Sequence, residues 1–270
     1  NISSTSISTA YMIATLVAAF LLPRMGKFVD KFGPRIVLIT TIILLGFGCL
    51  LFGAASNFLM LALGFGFLRF FGQGSLMLCS SNIVTQWFDK KRGFALGLMG
   101  LGFAISMGLH PPISNYLIEV YGWRMAWVII GLSTWLIMLP PLIFLAIDKP
   151  EDVGQEVDGG LELEGIVPDD NYGIEWEIRD LLKDRNFWIL TVVFSMQFSS
   201  MMAILAHLTF YAAERGWADQ AAFIFGMYAI PAMLSKVVFG WLVEKKLDPR
   251  MAVTISLALQ ALGLLLITVT

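Results

Sequence analysis

The stretch GKFVDKFGPR at residues 26–35 returns in altered form as GWLVEKKLDPR at residues 240–250. In each, a glycine (Gly26, Gly240) precedes an acid (Asp30, Glu244), a lysine follows (Lys31, Lys245), and the stretch closes on Pro-Arg (Arg35, Arg250). The second copy uses glutamate, has no counterpart of Gly33 and carries one extra residue before its proline. Both copies sit directly behind an apolar run, with an acidic segment between them. A pattern written twice in matching places marks two halves of like orientation, the parallel-repeat arrangement of some membrane proteins. Glycine lets helix ends approach closely, and the acid pairs with basic residues or caps a neighbouring helix. The cations hold the loop on the cytoplasmic side.

Around these copies the chain is oily: 57% of its 270 residues are apolar, 14% are charged, and the mean hydropathy is +0.77. Soluble domains carry roughly 25% charged residues. Apolar runs long enough to cross a ~30 Å hydrocarbon core recur along the chain. They predict eight spans, near 5–23, 36–55, 58–84, 93–118, 125–147, 187–212, 220–243 and 251–270. The run from Ile36 to Phe88 is too long for one helix, so AASN at 54–57 is its natural turn. The chain starts on Asn and stops inside an apolar run, so it is expected to be a piece cut at both ends, and no signal peptide is visible. Cys49 and Cys79 fall inside spans and read as small apolar fillers.

Of the 18 basic residues, all but Arg69, Arg124, Arg215 and Lys236 lie in alternate loops, which makes those loops cytoplasmic. The net charge of -2 hides this, because the acids concentrate between Asp148 and Arg185. That segment reads as a flexible linker whose end, EWEIRDLLKD, is a candidate short surface helix. The expected organisation is a helical bundle at 1–147, an acidic cytoplasmic linker at 148–185 and a second bundle at 186–270.

The first loop, glycine, aspartate, cation, then glycine and arginine, resembles the signature of the major facilitator superfamily. The resemblance implies an all-α membrane fold of two bundles related by a pseudo-two-fold axis. It makes the first span family helix two, puts the linker between helices six and seven, and leaves helix one and helices ten to twelve outside the chain. LRFFGQGS (68–75), WFDKKRGFALG (87–97), PPISNYLIEVYGWRMAW (111–127) and KPEDVGQ (149–155) resemble the monocarboxylate and oxalate/formate branch. Much of each stretch is packing and topology. Glycines 93, 97 and 100 suit close helix contact, Trp87, Trp123 and Trp127 suit membrane interfaces, and Pro111-Pro112 is expected to break a helix.

An ionisable group inside a span costs about 2.5 to 3.5 kcal/mol at mid-membrane even on a lenient scale, so it is a functional candidate. There are four: Arg69, His110, His207 and Lys236. In the resembled branch the eighth helix carries a cation implicated in holding a substrate carboxylate, followed by a glycine. SKVVFG aligns Lys236 and Gly240 with that pattern, lysine standing for arginine. A lysine is a point charge without arginine's bidentate fork. The alternative is that Lys236 snorkels to the interface. Proton-coupled members place an aspartate four residues before the cation, where this chain has Ala232, and no predicted span contains Asp or Glu. Arg69 serves either the cavity or the bracing of its half. His207 either titrates and meets an anion or makes a packing hydrogen bond. His110 either contacts ligand or fills the carbonyl vacancy beside the prolines. Gln197 lines a cavity or glues helices together.

These features predict secondary transport of a small organic anion such as lactate, pyruvate, oxalate or formate by alternating access, as proton symport or anion exchange. A multi-pass plasma-membrane protein is expected (the inner membrane if bacterial), a monomer or weak oligomer in the lipid bilayer, with protons as a possible second partner. The alternatives are a drug or sugar carrier of the same superfamily and a receptor or scaffold on this fold. No nucleophile–base pair, metal-ligand cluster or phosphate-cradling loop argues for an enzyme, and no cofactor is expected. The basic residues are spread through thin loops, unlike a nucleic-acid-binding face.

Overall fold

The computed structural model describes residues 4–89, 91–159, 180, 182–217, 220, 227–245 and 248–269. Among them the regular structure is helical: α1 (Ser4–Phe32), α2 (Pro34–Gly53), α3 (Phe58–Trp87), α4 (Arg92–Leu145), α5 (Arg185–Glu214), α6 (Ala229–Lys245) and α7 (Pro249–Val269). Short 3-10 turns follow α4 at Pro150–Val153 and Val157–Gly159. Among the described residues five helices are long and apolar enough to cross a membrane, and this is a multi-pass membrane protein. The centre of the acidic linker, including most of EWEIRDLLKD, and part of the span expected at 220–243 lie outside the described residues.

The helix ends follow local chemistry, with three departures from expectation. First, α1 does not stop near residue 23. It runs through Pro23 to Phe32, so Gly26, Asp30 and Lys31 lie on its last turns and the expected loop shrinks to Gly33. Gly33 adopts φ 82 and ψ 150, a region open essentially to glycine, and Pro34 starts α2 at its first helical position. Second, Pro111-Pro112 does not break α4. Proline's fixed φ is helical, so a lost N–H leaves the path intact where surroundings tolerate it. The break falls at Gly122 (φ 76, ψ 158). It divides 54 residues, about 80 Å of helix and too much for one crossing, into two passes at the places expected from sequence. Third, Glu119, outside the expected spans, lies on α4 just before that break and accepts from Asn115 Nδ2 at 2.7 Å. The AASN turn is as expected. Asn57 Oδ1 accepts the Met60 N–H at 2.9 Å and caps α3.

The chain packs as two compact units, residues 1–99 with 112–160, and residues 100–111 with 161–270. In the first, Val29, Val37, Leu38, Ile42 and Cys79 form a core covered by Met25, Leu76, Ile83, Trp135 and Leu142. The Trp135 indole N–H reaches the Ile42 and Ile43 carbonyls at 3.2 and 3.1 Å, and Gly46 gives it room, since a Cβ there would strike the ring. Cys49 and Cys79 are free and buried in this packing. The outer faces are strongly apolar: Phe20 and Phe144 are each 81% exposed and Leu136 is 77% exposed. Such surfaces suit hydrocarbon and would be costly in water.

Candidate functional site

Lys236 sits in the middle of α6, between an alanine-rich first turn and a bulkier second half. Its Nζ donates to the Gly100 carbonyl at 2.6 Å and lies 5.0 Å from the centre of the Phe103 ring. Lys236, Gly100 and Phe103 all belong to the second unit. Lys236 makes no ion pair among the described residues. Gly100 is what lets the amine in, because a Cβ there would lie 3.0 Å from Lys236 Cδ and 3.1 Å from Nζ. A helical carbonyl has a second lone pair to spare after its i+4 bond, so the amine needs no break in the helix.

In the first unit, α3 widens into a π segment over Leu68–Ser75. Wide turns of this kind occur often at functional sites. Ser75, fully buried, follows the wider spacing by donating to the Phe70 carbonyl at 2.8 Å. Arg69 is carried in this segment. Its Nε donates to Thr15 Oγ1 at 3.0 Å, an NH group donates to Gln73 Oε1, and its guanidinium lies 4.7 Å from the centre of the Tyr11 ring. Neutral partners and a ring face thus hold a second cation of an apolar helix, with no carboxylate partner among the described residues. Tyr11 and Thr15 are four apart on α1, a spacing that signalled only a helix face.

The other candidates are scattered. His110 is exposed on α4 and makes no hydrogen bond among the described residues, so it does not fill the proline vacancy. His207 is exposed on α5. Gln197 lines a cavity of about 400 Å³ with Met201, Ile204, Tyr228, Ser256 and Gln260. Its backbone carbonyl accepts from Gln260 Nε2 at 3.3 Å.

The loop-motif residues divide as well. A Cβ at Gly26, Gly93 or Gly240 would meet nothing within 4 Å, so none of these glycines mediates the close approach expected of it. Gly33 does. A Cβ there would lie 2.8 Å from Asp148 Oδ2, and Asp148 Oδ1 accepts the Arg35 N–H at 2.6 Å. The Arg35 side chain donates in return to the Ile143 carbonyl at 2.5 Å, one of the orphan acceptors in the last turn of α4. Asp30 is exposed and makes no hydrogen bond or ion pair among the described residues, and Lys31 lies 5.1 Å from the Phe32 ring centre. In the second copy, Arg250 N donates to Asp248 Oδ1 at 2.7 Å. The backbone of Glu244 and Lys245 closes α6, and their side chains lie outside what the structure describes. Sequence reasoning missed Asp148, Gly100 as a lysine's partner, and Phe103. Only the bare N-terminus of α2 behind Gly33 signalled that some acid was needed.

The Major Facilitator Superfamily profile matches residues 1–270. Monocarboxylate transporter 13 of Bos taurus is 26% identical over 214 residues, which cover 78% of this chain and 46% of the relative. The oxalate:formate antiporter of Oxalobacter formigenes is 26% identical over 205 residues, covering 76% and 46%. Monocarboxylate transporter 2 of Homo sapiens is 24% identical across 94% of this chain and 55% of its own. The chain spans about half the length of the curated relatives it matches. With paired loop stretches, kinked and π-widened apolar helices and a family match along its whole length, the chain belongs to the Major Facilitator Superfamily.

Proposed function

We propose that the protein carries a small organic anion across a membrane by alternating access, with Lys236 receiving the carboxylate. The observation that carries this is the state of that amine: a cation mid-helix in an apolar span, with a carbonyl and a ring face for company and no carboxylate partner among the described residues. A carbonyl dipole compensates an ammonium less than a full negative charge does, because an ammonium–carboxylate pair adds the attraction of two opposite charges to the hydrogen bond. A carboxylate entering this site therefore gains more than it displaces. Arg69, which also makes no ion pair among the described residues, adds a second positive site in the first unit. The relatives' names, monocarboxylate transporter and oxalate:formate antiporter, agree with an anionic cargo.

Ala232 occupies the place of the proton-accepting aspartate in the resembled branch, so the proton, if one is coupled, is carried by a histidine or by a group outside this chain, and anion exchange is the other route. The basic loops favour a cytoplasmic linker, and a plasma-membrane location belongs to the same reading. The two bundles would rock about a midplane site, as in carriers built from parallel repeats.

The test is uptake by proteoliposomes holding the full-length protein. Labelled oxalate, formate, lactate or pyruvate should accumulate, faster when the vesicles are preloaded with a second carboxylate. Lys236→Gln should cut kcat/KM by roughly tenfold to a hundredfold, the loss of one charge-assisted contact of about 1.5 to 3 kcal/mol. Uptake of a sugar or an amine with none of any carboxylate overturns the anion assignment.

A further inference from the structure

Lys236 is already occupied. Its ammonium is 2.6 Å from the Gly100 carbonyl and 5.0 Å from the Phe103 ring centre, and those two residues stand one helical turn apart on α4. Glycine within a helix is destabilising relative to alanine, so its place at 100 calls for a spatial cause. The lysine supplies one, since a Cβ would crowd both Cδ and Nζ. The neighbouring Ala104 is buried, so water has little access to the carbonyl from that side.

We propose that Gly100 and Phe103 are affinity-setting residues: they hold the Lys236 ammonium when no substrate is bound, and a carboxylate must displace both to bind. This rests on Lys236 being the carboxylate's partner. The binding-competent fraction of the carrier is then the fraction in which the amine has left α4, and the apparent affinity falls by that fraction. Loosening the hold strengthens apparent substrate binding, whereas losing a residue that contacts the substrate weakens it. The arrangement also links cargo to motion, because the contact that substrate breaks is the one tying α6 to the 100–111 segment of α4.

The test compares wild type, Phe103→Leu, Gly100→Ala and Lys236→Gln in the full-length protein, with two readouts. In uptake, Phe103→Leu should lower the KM for oxalate or lactate by roughly twofold to fivefold, the equilibrium equivalent of one cation–π contact with a half-exposed ring. Gly100→Ala should act in the same direction. An unchanged or higher KM in both variants overturns the proposal. The second readout is amide hydrogen exchange over residues 100–111 without substrate. It should be faster in Phe103→Leu and Lys236→Gln than in wild type, and oxalate or lactate should speed it in wild type but not in Lys236→Gln. Exchange in Lys236→Gln equal to wild type overturns the proposal whatever the cargo is. If Lys236→Gln speeds exchange and no carboxylate does, the hold on the amine stands and the anion assignment is what falls.

Discussion

Two helices in this molecule start on Pro-Arg, and they solve the same problem by different means. At the start of α7, Asp248 stands immediately before Pro249 and its own side chain accepts the Arg250 N–H at 2.7 Å. At the start of α2, Gly33 has no side chain, and the acceptor at 2.6 Å is Asp148, 113 residues along the chain at the end of α4. The first copy of the motif therefore makes a tertiary clasp and the second a local cap. Asp148 covers the N-terminus of α2 while Arg35 covers the C-terminal carbonyl of Ile143, so each helix end satisfies the other. Arg250 has no such duty: its side chain makes no hydrogen bond among the described residues. What decays between the copies is the spelling. The need for an acceptor at a helix start persists, and an aspartate two residues before the arginine meets it where the long-range acid is not used.

The comparison breaks most visibly at Gly33. Alanine there must hold φ 82 and ψ 150 and place a Cβ 2.8 Å from Asp148 Oδ2. Strain of about 1–3 kcal/mol in that backbone region adds to a weakened cap worth ~1 kcal/mol. Gly33→Ala should therefore be the most destabilising of these changes, read as a clear fall in the Tm of detergent-purified protein. If Gly33→Ala is neutral, the clasp is not needed for the packing of the first unit.

Next comes the acid itself. Asp148→Ala should cost about 1–2 kcal/mol, at the upper end of the cap range, because the Arg35 N–H at the part-buried start of α2 is left without its acceptor. Asp148→Asn, which keeps an acceptor oxygen, should recover about half of that. Because Gly33 and Asp148 touch, Gly33→Ala combined with Asp148→Ala should cost less than the sum of the two. Additive losses would mean that the two residues act independently and that the clasp is a chance contact.

Much of this architecture was legible in the letters. Hydropathy located most of the described helices, because a lipid solvent forces apolar runs of fixed length, and the excess length of one run placed the AASN turn that Asn57 caps. The π segment around Arg69 and the clasp at Asp148 were not legible. A π turn differs from an α turn by one residue's spacing and leaves the apolar pattern unaltered. A cap supplied from 113 residues away leaves no periodicity at either end. The prolines of α4 misled because proline's missing N–H is a local fact, whereas whether a helix bends there depends on what surrounds it. At the candidate site, Lys236 was legible as an unpaired charge in oil. Its hold on Gly100 was not, since a glycine at a helix contact looks the same whether its neighbour is a helix or an amine.

The smallest effects are expected at the second copy. Asp248→Ala removes an exposed local cap and should cost about 1 kcal/mol, less than Asp148→Ala because water can replace the lost acceptor at an open helix end. Asp248→Gly rewrites the second copy in the image of the first, giving LGPR before α7. Glycine is a tolerated cap residue, so this change should cost only a few tenths of a kcal/mol, at the edge of what a Tm measurement resolves. Glycine at 248 is nearly free because the α7 start is open to solvent, whereas alanine at 33 is costly because the α2 start is closed by Asp148. A loss at Asp248→Gly as large as that at Asp148→Ala would mean that the second start also relies on a distant partner. The two copies would then be the same clasp in different spelling.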